Sequence, residues 1–403
     1  MKSRYDVVVI GGGLLGGSLA LGLARDDVDV LLLERDQINQ HASGRNAGSL
    51  HFQLEYRMIE RGIEAARRAA EAIPLHLEAA RLWQELSASI GPSLGVSQHG
   101  GLMLATAVED VRRLEAKAEL EQSWGLDVKV LDSAQAHDLA PYLSDSVLAA
   151  SFCPTEGKAN ARTSAPALCR AAVQAGATVL SRAGVTSIER HGSRWRVVAE
   201  HEGDAVVVET DAVVLAAGVW CSELAEMMGS YVPVEPVALT MSVTARTAPL
   251  TPYLIQHAGA RLSLKQSVEG NVLIGGGWPA QVTTLPNGSI DLRGRGQLLA
   301  DSVAGNAAAA MNAVPAVADL PVLRTWVGTT TLAPDQLPVV GPLPGAPGGF
   351  VATGGSAFTL GPVFAELLGE LVQGRAPRLD LRSYAADRFS GTAGTTERAA
   401  QHA

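Results

Sequence analysis

Residues 7–24 of the 403-residue chain read VVVIGGGLLGGSLALGLA and carry no charged side chain. The stretch could be a membrane span, a secretory signal, or the first strand, turn and helix of a nucleotide-binding domain. Five glycines crowd into residues 11–17, directly after the strand-like run YDVVVI (5–10), and a second buried-strand pattern, VDVLLLERD, follows at 28–36. A glycine-rich turn between two strands favours the nucleotide-binding domain, and no second uncharged stretch approaches the length of a membrane span.

The glycines fit a dinucleotide-binding turn, because Gly11, Gly13 and Gly16 have the G-x-G-x-x-G spacing between a strand and an amphipathic helix. In such a turn the backbone approaches a pyrophosphate, and the exposed N–H groups and the helix dipole favour its charge. Glu34 closes the second strand, where a carboxylate can accept hydrogen bonds from ribose hydroxyls. Asp27 stands where a glycine often ends the helix, and we expect it to adopt the left-handed conformation.

Composition narrows the class of protein. With 47% hydrophobic and 18% charged residues the chain can bury more than one core, so we expect two packed domains. The net charge of −9, with no long basic run, argues against a nucleic-acid partner. Cys153, Cys169 and Cys221 form no C-x-x-C motif, so no metal or iron–sulfur site is expected within this chain, and a reducing cytoplasm fits.

Three later segments indicate FAD rather than NAD. Residues 36–53, DQINQHASGRNAGSLHFQ, crowd small side chains and backbone donors into a loop that can hold a second phosphate and approach a ring. Residues 211–229 and 348–374 each repeat a strand, a small-residue turn and a helix, the last helix being expected to begin at Pro362. Taken singly, each pattern also suits an ordinary surface turn or strand-to-helix connection.

Together these segments resemble the D-amino-acid oxidase-type FAD oxidoreductases, a family that includes glycine and sarcosine oxidases. The resemblance runs from the glycine turn to about Gly374. ASGRNAGSLHFQ (42–53) and FCPTEGKANARTSAPAL (152–168) are similar to the FAD-bearing β subunits of heteromeric dehydrogenases, such as opine oxidases, hydroxyproline dehydrogenases and hydrogen cyanide synthase.

The resemblance implies a set of cofactor contacts. For the ADP half they are Gly11, Gly13, Leu15, Gly16, Glu34 and Arg35, with Val185 at the adenine. Along the pyrophosphate and the flavin they are Ser43, Arg45, Asn46, Ala47, Gly48 and Leu50. The far side and the pyrimidine end would be lined by Ala217, Gly218, Trp220, Gly355, Ser356, Thr359, Leu360 and Gly361.

One position departs from the family pattern. Oxidases of this family often carry an arginine for the substrate carboxylate shortly before a T-P-D-x-x-P-x-x-G segment, but WVGTTTLAPDQLPVVGPLP (326–344) has Thr330 there. A hydroxyl cannot replace the forked, charged pair that guanidinium makes. Either another cation anchors the carboxylate or the substrate lacks one; the candidate cations, each of which also suits a solvated surface, are Arg45, Arg57, Arg261 and Lys265. The segment contains no cysteine, so noncovalent FAD is expected.

The expected fold is α/β, with a discontinuous Rossmann-like FAD-binding domain (1–90, 149–228 and 320–390) and a substrate domain (91–148 and 229–319) built on a mostly antiparallel sheet. Its strand-like runs are 232–245, 260–268 and 271–278, with a hairpin turn at Glu269–Asn271. Helical periodicity at 59–86 and 109–124 predicts outer helices. The tail, 391–403, is expected to be disordered.

The favoured function is an FAD-dependent dehydrogenase that oxidises the C–N bond of a secondary amine or amino acid by hydride transfer to flavin. Electrons would leave through an α-type partner subunit carrying an iron–sulfur cluster or a second flavin. The alternatives are a self-sufficient oxidase that produces hydrogen peroxide and a non-catalytic, FAD-stabilised assembly subunit. His51 and Thr330 are the catalytic candidates, although each also suits a packed structural role; the substrate-side candidates are Arg261, Lys265 and Tyr253, with Trp278 as a further pocket wall.

Overall fold

The computed structural model describes residues 2–390, so the tail expected to be disordered, 391–403, lies outside the described residues. The strands, in chain order, are β1 (Arg4–Ile10), β2 (Val30–Leu33), β3 (Ser49–Leu50), β4 (Gly101–Ala105), β5 (Lys129–Asp132), β6 (Ala149–Cys153), β7 (Gly157–Lys158), β8 (Thr178–Leu180), β9 (Ala183–His191), β10 (Arg194–His201), β11 (Asp204–Leu215), β12 (Glu235–Arg246), β13 (Leu254–His257), β14 (Ser263–Gln266), β15 (Asn271–Gly275), β16 (Val322–Leu332), β17 (Val339–Pro342) and β18 (Gly349–Thr353).

The α-helices, again in chain order, are α1 (Leu14–Arg25), α2 (Ala42–Arg45), α3 (Tyr56–Ile59), α4 (Ile63–Ala70), α5 (Ile73–Ile90), α6 (Val108–Ser123), α7 (Ser133–Leu139), α8 (Ser164–Gln174), α9 (Cys221–Met227), α10 (Ala300–Ala313) and α11 (Gly361–Val372). No helix within residues 2–390 is both long and apolar enough to cross a membrane. The opening stretch 7–24 instead forms the end of β1, the glycine turn and most of α1.

The first sheet has a parallel centre in the order β18-β11-β1-β2-β8, with β17 antiparallel at one edge and the β9-β10 ribbon extending from β11. All four residues of β2 are buried, as expected for a central strand covered on both faces. Helices α1, α8 and α11 pack together on one face of this sheet. The carboxyl end of β1 therefore opens onto the glycine turn, at the place where such sheets bind ligands.

The second sheet is antiparallel except for the parallel pair β13 and β4, in the order β16-β12-β15-β14-β13-β4-β6-β5. Its outer face packs on α7 and α10 through a core that includes Leu264, Ile274 and Ala310. The mostly antiparallel sheet expected for the substrate side is present. The turn between β14 and β15 closes through the Gly270 N–H to the Ser267 carbonyl, at 3.0 Å, as the hairpin prediction requires.

The predicted domain boundaries divide the chain differently from the strand pairing. They assign 149–153 and 322–332 to the FAD-binding domain, whereas these residues pair in the second sheet as β6 and β16. A short apolar strand has the same local pattern in either sheet, so sequence alone does not say which sheet it joins.

Several local predictions are confirmed. Asp27 ends the first helical segment with φ +60°, in the left-handed region. The last helix begins at Gly361, one residue before the expected start, with Pro362 in its first turn. The helical pattern over 59–86 is divided between α3, α4 and α5, and Pro74 lies in the first turn of α5, where its missing N–H costs no helical hydrogen bond.

Candidate functional site

The glycine turn that joins β1 to α1 tolerates no side chain at two of its positions. Gly11 has φ +120°, and a Cβ there would clash with the Ala216 carbonyl at the end of β11. A Cβ at Gly16 would clash with the Gly11 carbonyl, so α1 can pack on the turn only through glycine. These contacts leave the start of α1 as an open backbone cradle.

Two side chains fix the edges of this cradle. The Glu34 carboxylate accepts the N–H groups of Gly12, at 2.7 Å, and Asp36, at 2.8 Å. The Ser43 hydroxyl accepts the Leu14 N–H at the amino end of α1, at 3.0 Å. Each carboxylate oxygen of Glu34 retains acceptor capacity for a ribose hydroxyl.

An aromatic and charged wall lies beside Glu34. The Arg35 guanidinium stacks 4.1 Å from the Trp220 ring, and the His41 ring meets the same indole edge-on at 4.8 Å. His41 Nε2 lies 2.8 Å from Asp36 Oδ2. Burial, reinforced by the nearby Arg293, lowers the pKa of Arg35. The wall is suited to a planar base with polar groups at its edge.

Residues 42–50, which we call the flavin loop because cofactor contacts are expected there, contact β16 and β14 of the second sheet. The Asn46 amide donates to the carbonyls of Ala42 and Ser43, and its oxygen accepts the Gly48 N–H, so one side chain holds the turn. The Trp326 indole donates to the Arg45 carbonyl at 2.7 Å and anchors one end of the loop to β16. At the other end Ser49 and Leu50 form β3 and pair with β7.

A buried polar network backs the segment that follows the loop. Glu156 accepts the N–H groups of Phe52 and Gln53, at 2.8 and 2.9 Å. Lys117 donates to the Gln53 side chain, at 3.0 Å, and to Glu121, at 2.7 Å. Burial raises the pKa of Glu121, although Lys117 opposes that shift. Since the charged groups all have partners, the network fixes the backbone course beyond the loop.

One cavity of about 270 Å³ runs between the two sheets. It begins at the glycine turn and reaches the inner face of β12 and β16. The predicted residues that line it are Gly11, Gly13, Leu15, Glu34, Arg35, Ser43, Arg45, Asn46, Val185, Ala217, Gly218, Trp220 and Thr330. The nucleotide cradle and the substrate-side sheet thus line one continuous cavity.

Other predicted cofactor residues lie outside the cavity lining, at its supports. Gly16 packs beneath the turn, and the Thr359 hydroxyl donates to the Ser49 carbonyl at 3.3 Å. Ser356 Oγ lies 3.1 Å from the Arg57 guanidinium and 3.2 Å from the Glu55 carboxylate. The cavity lining likewise excludes four more of the predicted residues, namely Ala47, Gly48, Leu50 and Leu360.

The catalytic and substrate-side candidates are dispersed. His51 Nε2 contacts the Ser263 hydroxyl at 3.1 Å, and the His51 carbonyl accepts from His76. The Nδ1 of His51 is buried and has no hydrogen-bond partner within residues 2–390. The Tyr253 ring packs edge-on against Phe152 at 5.9 Å, beside the outer core. The Arg261 carbonyl accepts the Trp278 indole N–H at 2.8 Å. Lys265 lies on β14, facing the flavin loop.

Sequence reasoning missed part of the cavity wall. The additional residues include Leu239, Met241 and Thr329, whereas Ala357 and Phe358 lie within the stretch Gly355 to Gly361 expected at the pyrimidine end. Alternation along β12 does place Leu239 and Met241 on one face, but only the packing of the two sheets decides which face meets the cavity.

The residues present fit a flavin dinucleotide. The glycine turn can pack closely against the end of β11 and the start of α1 only because Gly11 and Gly16 lack a Cβ, and the adjoining wall of Arg35 and Trp220 suits a planar base. The cavity continues from this cradle past the loop, as an extended two-nucleotide cofactor requires.

Comparison with known proteins also indicates an FAD-binding protein. Residues 6–371 match the DAO family, described as FAD dependent oxidoreductase. The chain is 28% identical to a glycine oxidase of Geobacillus kaustophilus, over 98% of this chain and 100% of that protein. It is likewise 28% identical to one subunit of an opine oxidase from Rhizobium meliloti, over 96% of this chain and 98% of that protein.

Solved structures give the same result. The crystal structure of the glycine oxidase from Geobacillus kaustophilus superposes with a TM-score of 0.82 at 25% identity, covering 96% of this chain and 99% of that one. The L-proline dehydrogenase from P. horikoshii superposes with a TM-score of 0.83 at 22% identity, covering 97% and 99%, and shares the fold. The chain belongs to the DAO family of FAD-dependent oxidoreductases, and FAD is its cofactor.

Proposed function

We propose that this protein is a dehydrogenase that oxidises the C–N bond of a secondary amine or amino acid, such as an opine, a proline derivative or an N-alkyl amino acid. The observation that carries the proposal is the single cavity in which the dinucleotide cradle meets the inner face of β12 and β16. The similarity to a glycine oxidase, to an opine oxidase subunit and to the beta chain of a sarcosine oxidase supports an amine or amino acid substrate. When bound, FAD supplies the acceptor for a hydride from the substrate carbon, and water then hydrolyses the resulting imine.

The chain's own residues would bind, orient and shield the reactants. We assign the ADP half to the glycine turn, Glu34 and Arg35, and the flavin to the loop held by Asn46 and Trp326. Thr330 on β16 and the apolar Leu239 and Met241 on β12 would wall the substrate side and exclude water. His51, whose Nε2 contacts the Ser263 hydroxyl, would hold or accept a proton.

The assignment of Glu34 is tested by FAD retention. Glu34→Ala removes the acceptor that holds the Gly12 and Asp36 N–H groups, so we expect the dissociation constant for FAD to rise about tenfold or more. Glu64→Ala, at an exposed position on α4, is the matched control. Unchanged cofactor content in Glu34→Ala would count against the ribose role.

We further propose that electrons leave through a partner subunit and that the protein is cytoplasmic. The similar opine oxidase and sarcosine oxidase chains are each named as one subunit of an enzyme, which supports a multi-subunit assembly. In air, the isolated holoenzyme mixed with substrate should keep its flavin reduced until an artificial acceptor such as a quinone is added. Rapid production of hydrogen peroxide by the chain alone would instead favour the second candidate, a self-sufficient oxidase, which the similarity to glycine oxidase supports.

A non-catalytic assembly role is the remaining candidate. Reduction of the flavin by any amine under anaerobic conditions would remove it.

A further inference from the structure

Lys265 is buried on the face of β14 that meets the flavin loop. Leu264, the preceding residue, belongs to the outer core with α7 and α10, so Ser263 and Lys265 project to the opposite face. The Ser263 hydroxyl lies within hydrogen-bond distance of both Ser49, at 3.2 Å, and His51, at 3.1 Å. These contacts confirm that this face of the strand lies against the loop and the residue after it.

The Lys265 amine has no hydrogen-bond partner among the described residues, although the side chain is only 3% exposed. A Cβ built on Gly48 would lie 3.1 Å from its Nζ, so the amine sits directly against the loop. The neighbouring backbone groups are already engaged: the Gly48 N–H donates to Asn46 and its carbonyl accepts the Ala159 N–H at 2.8 Å.

A neighbouring positive charge further disfavours the protonated form of this amine. Lys158 donates to the Gln266 carbonyl at 2.6 Å, and its charge acts against a proton on Lys265. Burial, reinforced by Lys158, holds the pKa of Lys265 well below its usual range. A buried amine without a partner is costly, and a carboxylate that binds together with a proton would relieve that cost by pairing with the ammonium form.

Open apolar surface adjoins the amine on the same face of the sheet. Lys265 is in register with Leu273 on β15, and Leu273 with Val243 on β12. Both apolar side chains are partly exposed, whereas Val272 and Ile274 on the outer face are buried. A ligand with an aliphatic portion and one negative group could therefore lie on Leu273 and Val243 with its charge at Lys265.

Two other cations near the loop, Arg57 and Arg45, each have at least one hydrogen-bond partner. Arg57 contacts Glu55, Ser356 and Gln336. Arg45 donates to the Gln40 carbonyl at 2.9 Å. Lys265 differs from both in having a buried nitrogen whose hydrogen-bonding capacity is unused within residues 2–390.

We propose that Lys265 binds the carboxylate of an amino acid substrate beside Gly48, in place of the arginine that the family pattern has at Thr330. The inference rests on the proposed function and narrows it, because it makes the substrate an N-substituted amino acid rather than a simple amine. A lysine makes a point-charge pair with a carboxylate, so the site tolerates more variation in ligand orientation than an arginine fork would.

The test uses acetate as the probe and oxidised holoenzyme, so it needs no turnover. Binding of a carboxylate near the ring perturbs the flavin absorption spectrum, and acetamide serves as the uncharged probe of the same shape. We expect Lys265→Met to weaken acetate binding about tenfold or more while leaving the weaker acetamide binding unchanged. The matched control is Lys129→Met, at an exposed lysine on β5 at the far edge of the same sheet.

Two results would overturn the proposal. One is acetate affinity within about twofold of wild type in a Lys265→Met holoenzyme. The other is a Lys265→Met holoenzyme that binds acetate normally but binds sulfite, an anion that adds to the flavin itself, more weakly. That result would mean that the amine acts on the cofactor and not on the substrate carboxylate. If Lys265→Met does not retain FAD, Lys265→Gln supplies the same neutral comparison. Failure of every amine to reduce the flavin would refute the proposed function and leave the acetate result standing.

Discussion

Two buried lysines contact the chain between Gly48 and Gln53, and they differ in whether their amines have hydrogen-bond partners. Lys117, 1% exposed, donates to Gln53 and to Glu121 behind the segment. Lys265, 3% exposed, faces the flavin loop and donates to no described group. The first is part of a completed polar core, whereas the second has binding capacity in reserve. Burial of an ionisable group therefore does not by itself identify a site, and a buried amine without a partner is the stronger candidate of the two.

Lys117→Met should have the largest effect on stability, because it leaves the buried Glu121 carboxylate without its counter-charge. We expect the free energy of unfolding to fall by about 3–5 kcal/mol. Urea unfolding of the holoenzyme measures it, with the exposed Lys129→Met as the control. A loss below about 1 kcal/mol would mean that the buried Lys117 pair does not stabilise the fold.

Glu156→Gln should have the next largest effect. The carboxylate accepts the Phe52 and Gln53 N–H groups and the Gln53 side-chain amide. An amide in its place would put its own NH₂ donor against one or more of these donors. We expect a loss of about 2–3 kcal/mol in the free energy of unfolding. Thermal denaturation detects it; an unchanged melting temperature would show that the backing network does not fix the segment beyond the loop.

The Glu55–Arg57 ion pair should contribute an intermediate amount to stability, because both side chains are about one quarter exposed. Burial by itself would raise the pKa of Glu55, but Arg57, with His51, His76 and the Ser356 hydroxyl, outweighs it and holds the pKa at about 2. This folded-state pKa lies below the unfolded value of 4.5, so the stabilisation is complete above pH 4.5 and is lost as the pH falls toward 2.

Wild type should therefore lose about 1 kcal/mol more stability than Glu55→Gln between pH 6 and pH 3.5. Urea unfolding at the two pH values gives the difference. Parallel pH dependence in the two proteins would show that the pair does not stabilise the fold.

Lys265→Met should have the smallest effect on stability and the opposite sign. Replacing an unpartnered buried amine with an apolar chain of similar length should leave the free energy of unfolding of ligand-free protein unchanged, or raise it by up to about 1 kcal/mol. A loss of more than about 2 kcal/mol, measured in urea, would make Lys265 a structural residue like Lys117 and end the comparison.

The features that could be predicted from sequence are those that depend on neighbouring residues, and those that could not depend on contacts between distant segments. The turn at Gly11 and Gly16 is local: its spacing between strand and helix determines the backbone conformation, and the structure has it as expected. The buried network is not local, because Gln53, Lys117 and Glu156 come from three distant segments and no pattern links them. Lys265 could be named as a candidate cation, but its lack of a partner depends on the packing of β14 against the loop.

Reduction of the flavin under anaerobic conditions tests the central claim most directly. The holoenzyme would be mixed with glycine, sarcosine, proline isomers, D-amino acids and opines, and the visible absorption of FAD followed. The account predicts that at least one N-substituted amino acid bleaches the flavin, faster than glycine does. A flavin that dithionite reduces but that no member of the panel bleaches would contradict it.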